Sequence, residues 1–142
     1  LFSSSADSFA KLIQYDGSKW QTYPTPWETT GKYVMDVAKT PDENIWFAME
    51  TIGAYRLSGE TWKSYSMQDG LSSNHLFCVD IASDGSVWFG TTKGISHYDG
   101  NSWESFLNEN EGEGNWRITA IATTSDGTLW FGSSGKVISY VP

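Results

Sequence analysis

Apolar and polar residues alternate over short runs along the whole chain, and this pattern predicts many short β-strands. Leu12–Tyr15 and Trp20–Tyr23 are two such runs, and the segment between them contains an Asp-Gly pair. An Asp-Gly pair between two β-rich runs is typical of a hairpin turn. No stretch of useful length repeats its apolar residues with the helical period. The pattern therefore predicts an all-β fold in which turns recur at regular intervals.

Two sequence motifs recur along the chain with the same period. The first reads DGSVWFGTT at residues 84–92 and DGTLWFGSS at residues 126–134, with a divergent copy, DENIWFAME, at residues 42–50. In the second motif, a tryptophan is followed three residues later by Tyr or Phe. We expect the tryptophans of both motifs to form the core of a structural repeat: Trp46, Trp88 and Trp130 from the first, and Trp20, Trp62 and Trp103 from the second.

Each repeat of about 42 residues contains four short predicted strands, which is the size of one β-propeller blade. Strands such as Ile118–Ala122 are apolar or small on both faces, as a strand between two neighbouring blades must be. We therefore predict a β-propeller segment of about three four-stranded blades that occupies residues 1–142. Its units are approximately residues 11–23 (partial), 33–65, 76–106 and 118–140 (partial).

Three and a third repeats are too few to close a propeller, which usually has 4–8 blades. Open ends of the blade stack would expose apolar faces. Two explanations follow: the chain is a piece of a longer protein, or identical copies associate to complete a ring. In both cases we expect the segment to self-associate or to pack against further blades.

Composition narrows the classes of partner. The net charge is −8 and the basic residues are scattered, which argues against binding to nucleic acid or to anionic membranes. No apolar run approaches the roughly 20 residues needed to span a bilayer, so we expect no membrane insertion by this segment. Cys78 is the single cysteine, which excludes an intramolecular disulfide and favours a small buried side chain.

The turns of a propeller separate onto two faces. The Asp-containing turns lie on one face, which we call the turn face. Asp suits the geometry of these turns, so we expect a structural role for them. The variable linkers between repeats lie on the other, the linker face. Two tryptophans outside the repeat occur in these linkers. They either cover the ends of the blades or bind a ligand, since an aromatic ring beside polar groups suits a sugar. The candidate ligand-binding residues are Trp27, Tyr33, Asn74, His75, Lys93, Trp116 and Arg117. We expect no catalytic residue, no metal site and no cofactor.

The segment DGSVWFGTTKGISHYDGNSWESF at residues 84–106 resembles the two-component regulator propeller repeat, as does Asp69–Asn74 just upstream. The first complete repeat departs from that pattern, with Glu43 in place of the turn glycine and Ala48 in place of the strand glycine. The resemblance implies a non-enzymatic sensor domain outside the cytoplasm, periplasmic or extracellular. It also implies a glycan fragment or small molecule as ligand.

Two alternatives remain from the sequence. One is a structural module that closes a propeller ring by self-association. The other is an enzyme similar to streptogramin lyases, whose repeats share the Asp-turn and Trp-Phe motif. That chemistry would need a histidine base near a metal-binding acid. The two histidines, His75 and His97, are about half a repeat apart, so we expect no joint site.

Overall fold

The computed structural model describes residues 12–27, 32–107 and 116–142. The chain divides into two compact units, Leu1–Tyr33 and Val34–Pro142. In the first unit, β1 (Leu12–Tyr15) and β2 (Trp20–Tyr23) form an antiparallel hairpin around the Asp-Gly turn. Within the described residues every regular element is a strand, which confirms the all-β prediction.

The second unit contains two four-stranded antiparallel sheets and one three-stranded sheet, each with its strands in sequence order. We call them the first, second and third blades. The first blade consists of β3 (Val34–Lys39), β4 (Ile45–Met49), β5 (Ala54–Ser58) and β6 (Thr61–Tyr65). The second consists of β7 (Leu76–Ile81), β8 (Val87–Thr91), β9 (Gly94–Tyr98) and β10 (Trp103–Phe106). The third consists of β11 (Ile118–Thr123), β12 (Leu129–Ser133) and β13 (Lys136–Tyr140).

The first strands of the three blades are neighbours, with β7 in contact with β3 on one side and β11 on the other. Each of these strands has a register shift after its first residue, so one extra residue forms a β-bulge. A bulge changes the direction in which a side chain points. The bulged residues are Met35, Phe77 and Thr119, which are equivalent in the repeat.

Aromatic side chains of the repeat fill the space between neighbouring blades. Trp46 of the first blade contacts Phe89 and Tyr98 of the second, with ring centroids 5.8 and 5.4 Å apart. One repeat later, Trp88 contacts the equivalent Phe131 and Tyr140 at 5.8 and 5.2 Å. Trp46 and Trp88 therefore each pack on the blade that follows, as expected of a propeller.

Not all of the predicted core tryptophans are buried. Trp46 and Trp88 are 2% and 4% exposed, and Trp62 and Trp103 are partly buried. Trp20 is 72% exposed and Trp130 is 44% exposed, which corrects the prediction for these two residues. The reason for Trp130 is its position on the face of the third blade that points away from the second, where no described blade follows.

The Asp-containing turns are held by their own carboxylates. In the second blade, Oδ1 of Asp84 accepts hydrogen bonds from the backbone N–H of Ser86 at 2.9 Å and from its hydroxyl at 2.6 Å. The turn also needs a residue with positive φ, supplied by Gly85 at 85°. In the first blade Glu43 takes that position with a φ of 69°, an uncommon conformation for a residue with a side chain. The scaffold role predicted for these turns agrees with this geometry.

Side chains on the first strands also hydrogen-bond from blade to blade. Oδ2 of Asp36 accepts a bond from the backbone N–H of Val79 at 3.0 Å. Oδ2 of Asp80 accepts a bond from the hydroxyl of Thr123 at 2.8 Å. These bonds fix the position of each first strand relative to the first strand of the next blade.

Candidate functional site

The linker face between the second and third blades is built from backbone contacts that join successive repeats. The N–H of Gly94, the first residue of β9, donates to the carbonyl of Trp116 at 2.7 Å. The N–H of Thr92 donates to the carbonyl of His75 at 3.1 Å. The segments that carry His75, Lys93, Trp116 and Arg117 are therefore brought to one face of the second unit.

Gly94 is required at this junction for steric reasons. Its φ is 95°, and a Cβ atom there would lie 2.5 Å from the carbonyl oxygen of Leu107. Any other residue would push the end of β10 away from the turn. The glycine thus lets the turn approach the linker closely enough to bond to Trp116.

Two aromatic rings on the linker face each have a cation above them. The ammonium of Lys136 lies 4.2 Å from the ring of Trp116, and the guanidinium of Arg117 lies 4.3 Å from the ring of Phe77. Trp116 and Phe77 are partly buried, whereas Arg117 and Lys136 are exposed. Cation–π contacts of this kind hold the charged groups in place without neutralising them.

The indole N–H of Trp116 is buried and has no hydrogen-bond partner among residues 12–27, 32–107 and 116–142. The equivalent position in the preceding repeat is Asn74, whose Oδ1 accepts a bond from the N–H of Met67 at 2.8 Å. Asn74 therefore stabilises its own linker, and its side-chain oxygen is engaged there.

The remaining predicted site residues differ in exposure. His75 and Lys93 are exposed on the linker face. Tyr33, in the first unit, is 62% exposed. Trp27, in the same unit, is only 4% exposed, so its ring is not available for stacking on a ligand from solvent. The expectation for Trp27 is corrected accordingly. A position outside the repeat does not by itself reveal whether a tryptophan is buried.

Sequence reasoning missed Phe77 and Lys136 at this face. From the sequence, Phe77 looks like an ordinary strand residue. Strict alternation along β7 does not show that a bulge changes the direction of its side chain. Its equivalence to Met35 and Thr119 was the available signal, since three unlike residues at one repeat position mark a place that the scaffold does not constrain. Lys136 carries no signal of its own in the sequence.

The two histidines lie toward opposite faces. His75 precedes β7 at the linker face, whereas His97 in β9 faces the interface of the second and third blades, close to Asp84 of the turn face. Residues 12–27, 32–107 and 116–142 contain no group of three or more His, Cys, Asp or Glu side chains placed to hold a metal ion. The same part of the chain contains no helix long and apolar enough to cross a membrane.

A family comparison matches part of this fold by sequence. Residues 111–135 match the family described as two component regulator propeller. This part of the chain is similar to the repeat of that family. The match includes the Asp turn and the Trp-Phe strand of the third blade, and it confirms the resemblance noted from the second repeat.

Solved structures share the fold over most of the chain. The extracellular domain assigned to the hybrid two component system BT3049 of B. thetaiotaomicron has a TM-score of 0.72 at 19% identity over 88% of this chain. The corresponding domain assigned to BT4673 of the same organism has a TM-score of 0.68 at 20% identity over 86% of the chain. A streptogramin B lyase has a TM-score of 0.63 at 19% identity over 86% of the chain. The chain is a segment of β-propeller, as predicted.

The chain spans only a part of each of these proteins. It covers 18% and 17% of the two extracellular domains and 44% of the lyase. No curated protein matches the chain significantly by sequence.

Proposed function

We propose that this propeller segment belongs to the ligand-sensing region of a two-component regulator, outside the cytoplasm, and that its linker face binds a carbohydrate. The observation that carries the proposal is the pair of cation–aromatic contacts formed by Lys136 with Trp116 and by Arg117 with Phe77. The match of residues 111–135 to the regulator propeller family and the fold shared with two extracellular domains support it. The proposed role is binding without catalysis.

The chemistry of this face favours an acidic sugar. Aromatic rings pack against the C–H faces of a sugar, and exposed cations bind a carboxylate on its rim. The chain as a whole carries a charge of −8, whereas this face has the cations Arg117 and Lys136 beside its two aromatic rings. A neutral sugar would gain from the rings alone, whereas a uronic acid would gain from both.

The test is oligosaccharide binding by the whole chain, measured by calorimetry with neutral and uronate-containing oligomers. We expect the uronate oligomers to bind more tightly and the preference to fall with added salt. The double variant Trp116→Ala with Arg117→Ala should lose the binding. A matched control is Lys63→Ala. The ammonium of Lys63 lies 5.0 Å from the ring of Tyr65, so this variant removes a similar cation–aromatic pair on the first blade.

Two results would contradict this proposal. One is undiminished binding by the Trp116→Ala, Arg117→Ala variant when its fold is intact. The other is an equal loss in Lys63→Ala, which would mean that a general loss of charge or stability explains the effect.

A second candidate role is assembly, favoured by the outward face of the third blade. Ala120, Ala122, Trp130 and Val137 are all exposed there, and Val137 is 73% exposed. The equivalent face of the second blade is covered by the third blade. We infer that the outward face takes another blade of the same repeat, supplied by a second copy when this chain is isolated.

Light scattering tests the assembly role. We expect the isolated chain to increase in mass with concentration and the Val137→Lys variant to remain monomeric. Lys63→Glu, an exposed change on the first blade, should leave the association unchanged. A parent chain that stays monomeric at every concentration would count against this role.

A further inference from the structure

A small cavity lies between the second and third blades, toward the turn face and away from the linker-face site. Its volume is about 90 Å³, and its lining includes Asp84, Trp88, His97, Leu129 and Tyr140. A water molecule occupies about 30 Å³ in the liquid, so the cavity has room for a solute of a few non-hydrogen atoms. It combines a carboxylate, an imidazole and two aromatic rings in one small space.

His97 contributes a buried ring nitrogen without a hydrogen-bond partner among the described residues. Its ring stacks on the indole of Trp88, with ring centroids 4.2 Å apart and planes at 29°. Nδ1 lies 3.9 Å from a carboxylate oxygen of Glu104, beyond hydrogen-bond distance. Nε2 is buried and has no hydrogen-bond partner among the described residues. With the ring proton on Nδ1, Nε2 would be a hydrogen-bond acceptor open to a donor from a ligand.

Asp84 contributes negative charge. Hydrogen bonds from the hydroxyl and backbone N–H of Ser86 lower the pKa of Asp84, so its carboxylate is ionised at neutral pH. Both bonds reach Oδ1, and within the described residues Oδ2 accepts none. The indole N–H of Trp88 is taken by the hydroxyl of Ser86 at 3.1 Å. The unpaired Oδ2 of Asp84 is therefore available to accept a hydrogen bond from a ligand.

In the first blade, the position equivalent to His97 is occupied by Arg56. Arg56 pairs with Trp46 across strands β4 and β5, as His97 pairs with Trp88 across β8 and β9. The guanidinium of Arg56 lies 5.6 Å from the ring of Trp46 and 5.8 Å from the ring of Tyr65. The protein itself thus places a cation beside the repeat tryptophan of the first blade, whereas the second blade has the shorter His97 there.

We propose that the cavity between the second and third blades binds a small organic ammonium ion. The ammonium donates hydrogen bonds to Nε2 of His97 and to the Asp84 carboxylate, and the rings of Trp88 and Tyr140 surround its alkyl part. A carboxylate combined with aromatic walls is the arrangement that recognises such cations. The ligand supplies in the second blade the positive charge that Arg56 supplies in the first.

The test is an NMR titration of the whole chain with ethylammonium chloride, following backbone amides and the imidazole nitrogens of His97. Ethanol serves as the neutral analogue of similar size, and sodium chloride matches the ionic strength. We expect saturable shifts near residues 84–88, 97 and 140 with ethylammonium alone. His97→Gln should weaken binding about tenfold, the effect of one hydrogen bond. His75→Gln, on the linker face, should leave it unchanged.

A second variant keeps the test decisive if His97→Gln is poorly folded. His97→Arg copies the first blade and should fill the place with an internal cation, which abolishes ethylammonium binding while the blades stay folded. The proposal is overturned if ethanol and ethylammonium give the same shifts, or if His97→Arg binds ethylammonium as the parent does. Absence of any saturable shift in the parent chain would also overturn it.

Discussion

At the scale of single residues, the same repeat position has different environments in different blades. Trp88 is 4% exposed and contacts Phe131 and Tyr140 of the next blade, whereas Trp130 is 44% exposed. Burial of a tryptophan in this fold therefore depends on the following blade more than on the tryptophan's own strand. The energetic value of each tryptophan should differ in the same way.

Replacement of the two tryptophans by alanine tests this difference. We expect Trp88→Ala to lower the free energy of unfolding by about 3–5 kcal/mol, because it empties a packed site between two blades. Trp130→Ala should cost clearly less, since much of its ring already contacts water. Denaturant unfolding of both variants measures the two losses. Equal losses would show that the tryptophan acts mainly within its own blade.

The sequence predicted which residues repeat, but it did not predict how they are exposed. The tryptophans at positions 46, 88 and 130 look alike in the sequence because each follows the same turn and precedes phenylalanine. Exposure at one of them is set by a neighbouring blade and not by local pattern. Trp27 illustrates the opposite error, because it lies outside the repeat and is nevertheless buried.

At the scale of elements, a residue with a small side chain is needed where the second strand of a blade packs against the next blade. A Cβ atom on Gly90 would lie 2.7 Å from the carbonyl oxygen of Ile118 in the third blade. The equivalent Gly132 of the third blade is less restricted, because its Cβ would meet only Ala120 at 3.4 Å. The first blade has Ala48 at this position, fully buried.

Alanine at the two glycines should therefore have different effects on stability. Gly90→Ala should destabilise the chain by about 1–3 kcal/mol, because backbone of the third blade must move to make room. Gly132→Ala should be neutral or slightly stabilising, since alanine restricts the unfolded chain at a site with space for a methyl group. Thermal unfolding of the pair provides the measurement. A neutral Gly90→Ala would mean that the blades separate more easily than their packing implies.

Strand positions were predicted well because Asp turns and alternating residues mark where each strand begins and ends. The predicted strands Leu12–Tyr15 and Trp20–Tyr23 are observed with the same bounds, and the predicted strand Ile118–Ala122 is observed as Ile118–Thr123. The bulge at Phe77 was not predicted. It arises where neighbouring first strands converge, which is a property of packed blades and leaves no periodic signal in one strand.

At the scale of the whole molecule, Cys78 lies at the junction of the second and third blades. It is 5% exposed, and its Sγ lies 3.9 Å from the carbonyl oxygen of Ile118. Burial raises the pKa of the Cys78 thiol to about 12, and the charges of Asp36 and Asp80 add to this effect. The thiol is therefore protonated and inaccessible as long as the two blades stay together.

Thiol labelling should report on separation of these blades. At pH 8 we expect Cys78 of the folded chain to react with a thiolate-specific reagent only as fast as the blades open, and rapidly once denaturant is added. The folded pKa lies above that of the unfolded chain. The contribution of Cys78 to stability is thus complete below pH 9 and is lost as the pH rises toward 12. Fast labelling of the folded chain at pH 8 would contradict the packing of this junction.

The exposure of Trp130 also has a spectroscopic consequence. An indole in contact with water emits at longer wavelength than an indole in an apolar core, and Trp130 is the repeat tryptophan of the outward face. Covering that face would move its emission to shorter wavelength, while Trp46 and Trp88 are already enclosed and would change little. The difference in fluorescence emission between the parent chain and a Trp130→Phe variant thus reports whether another blade covers the outward face.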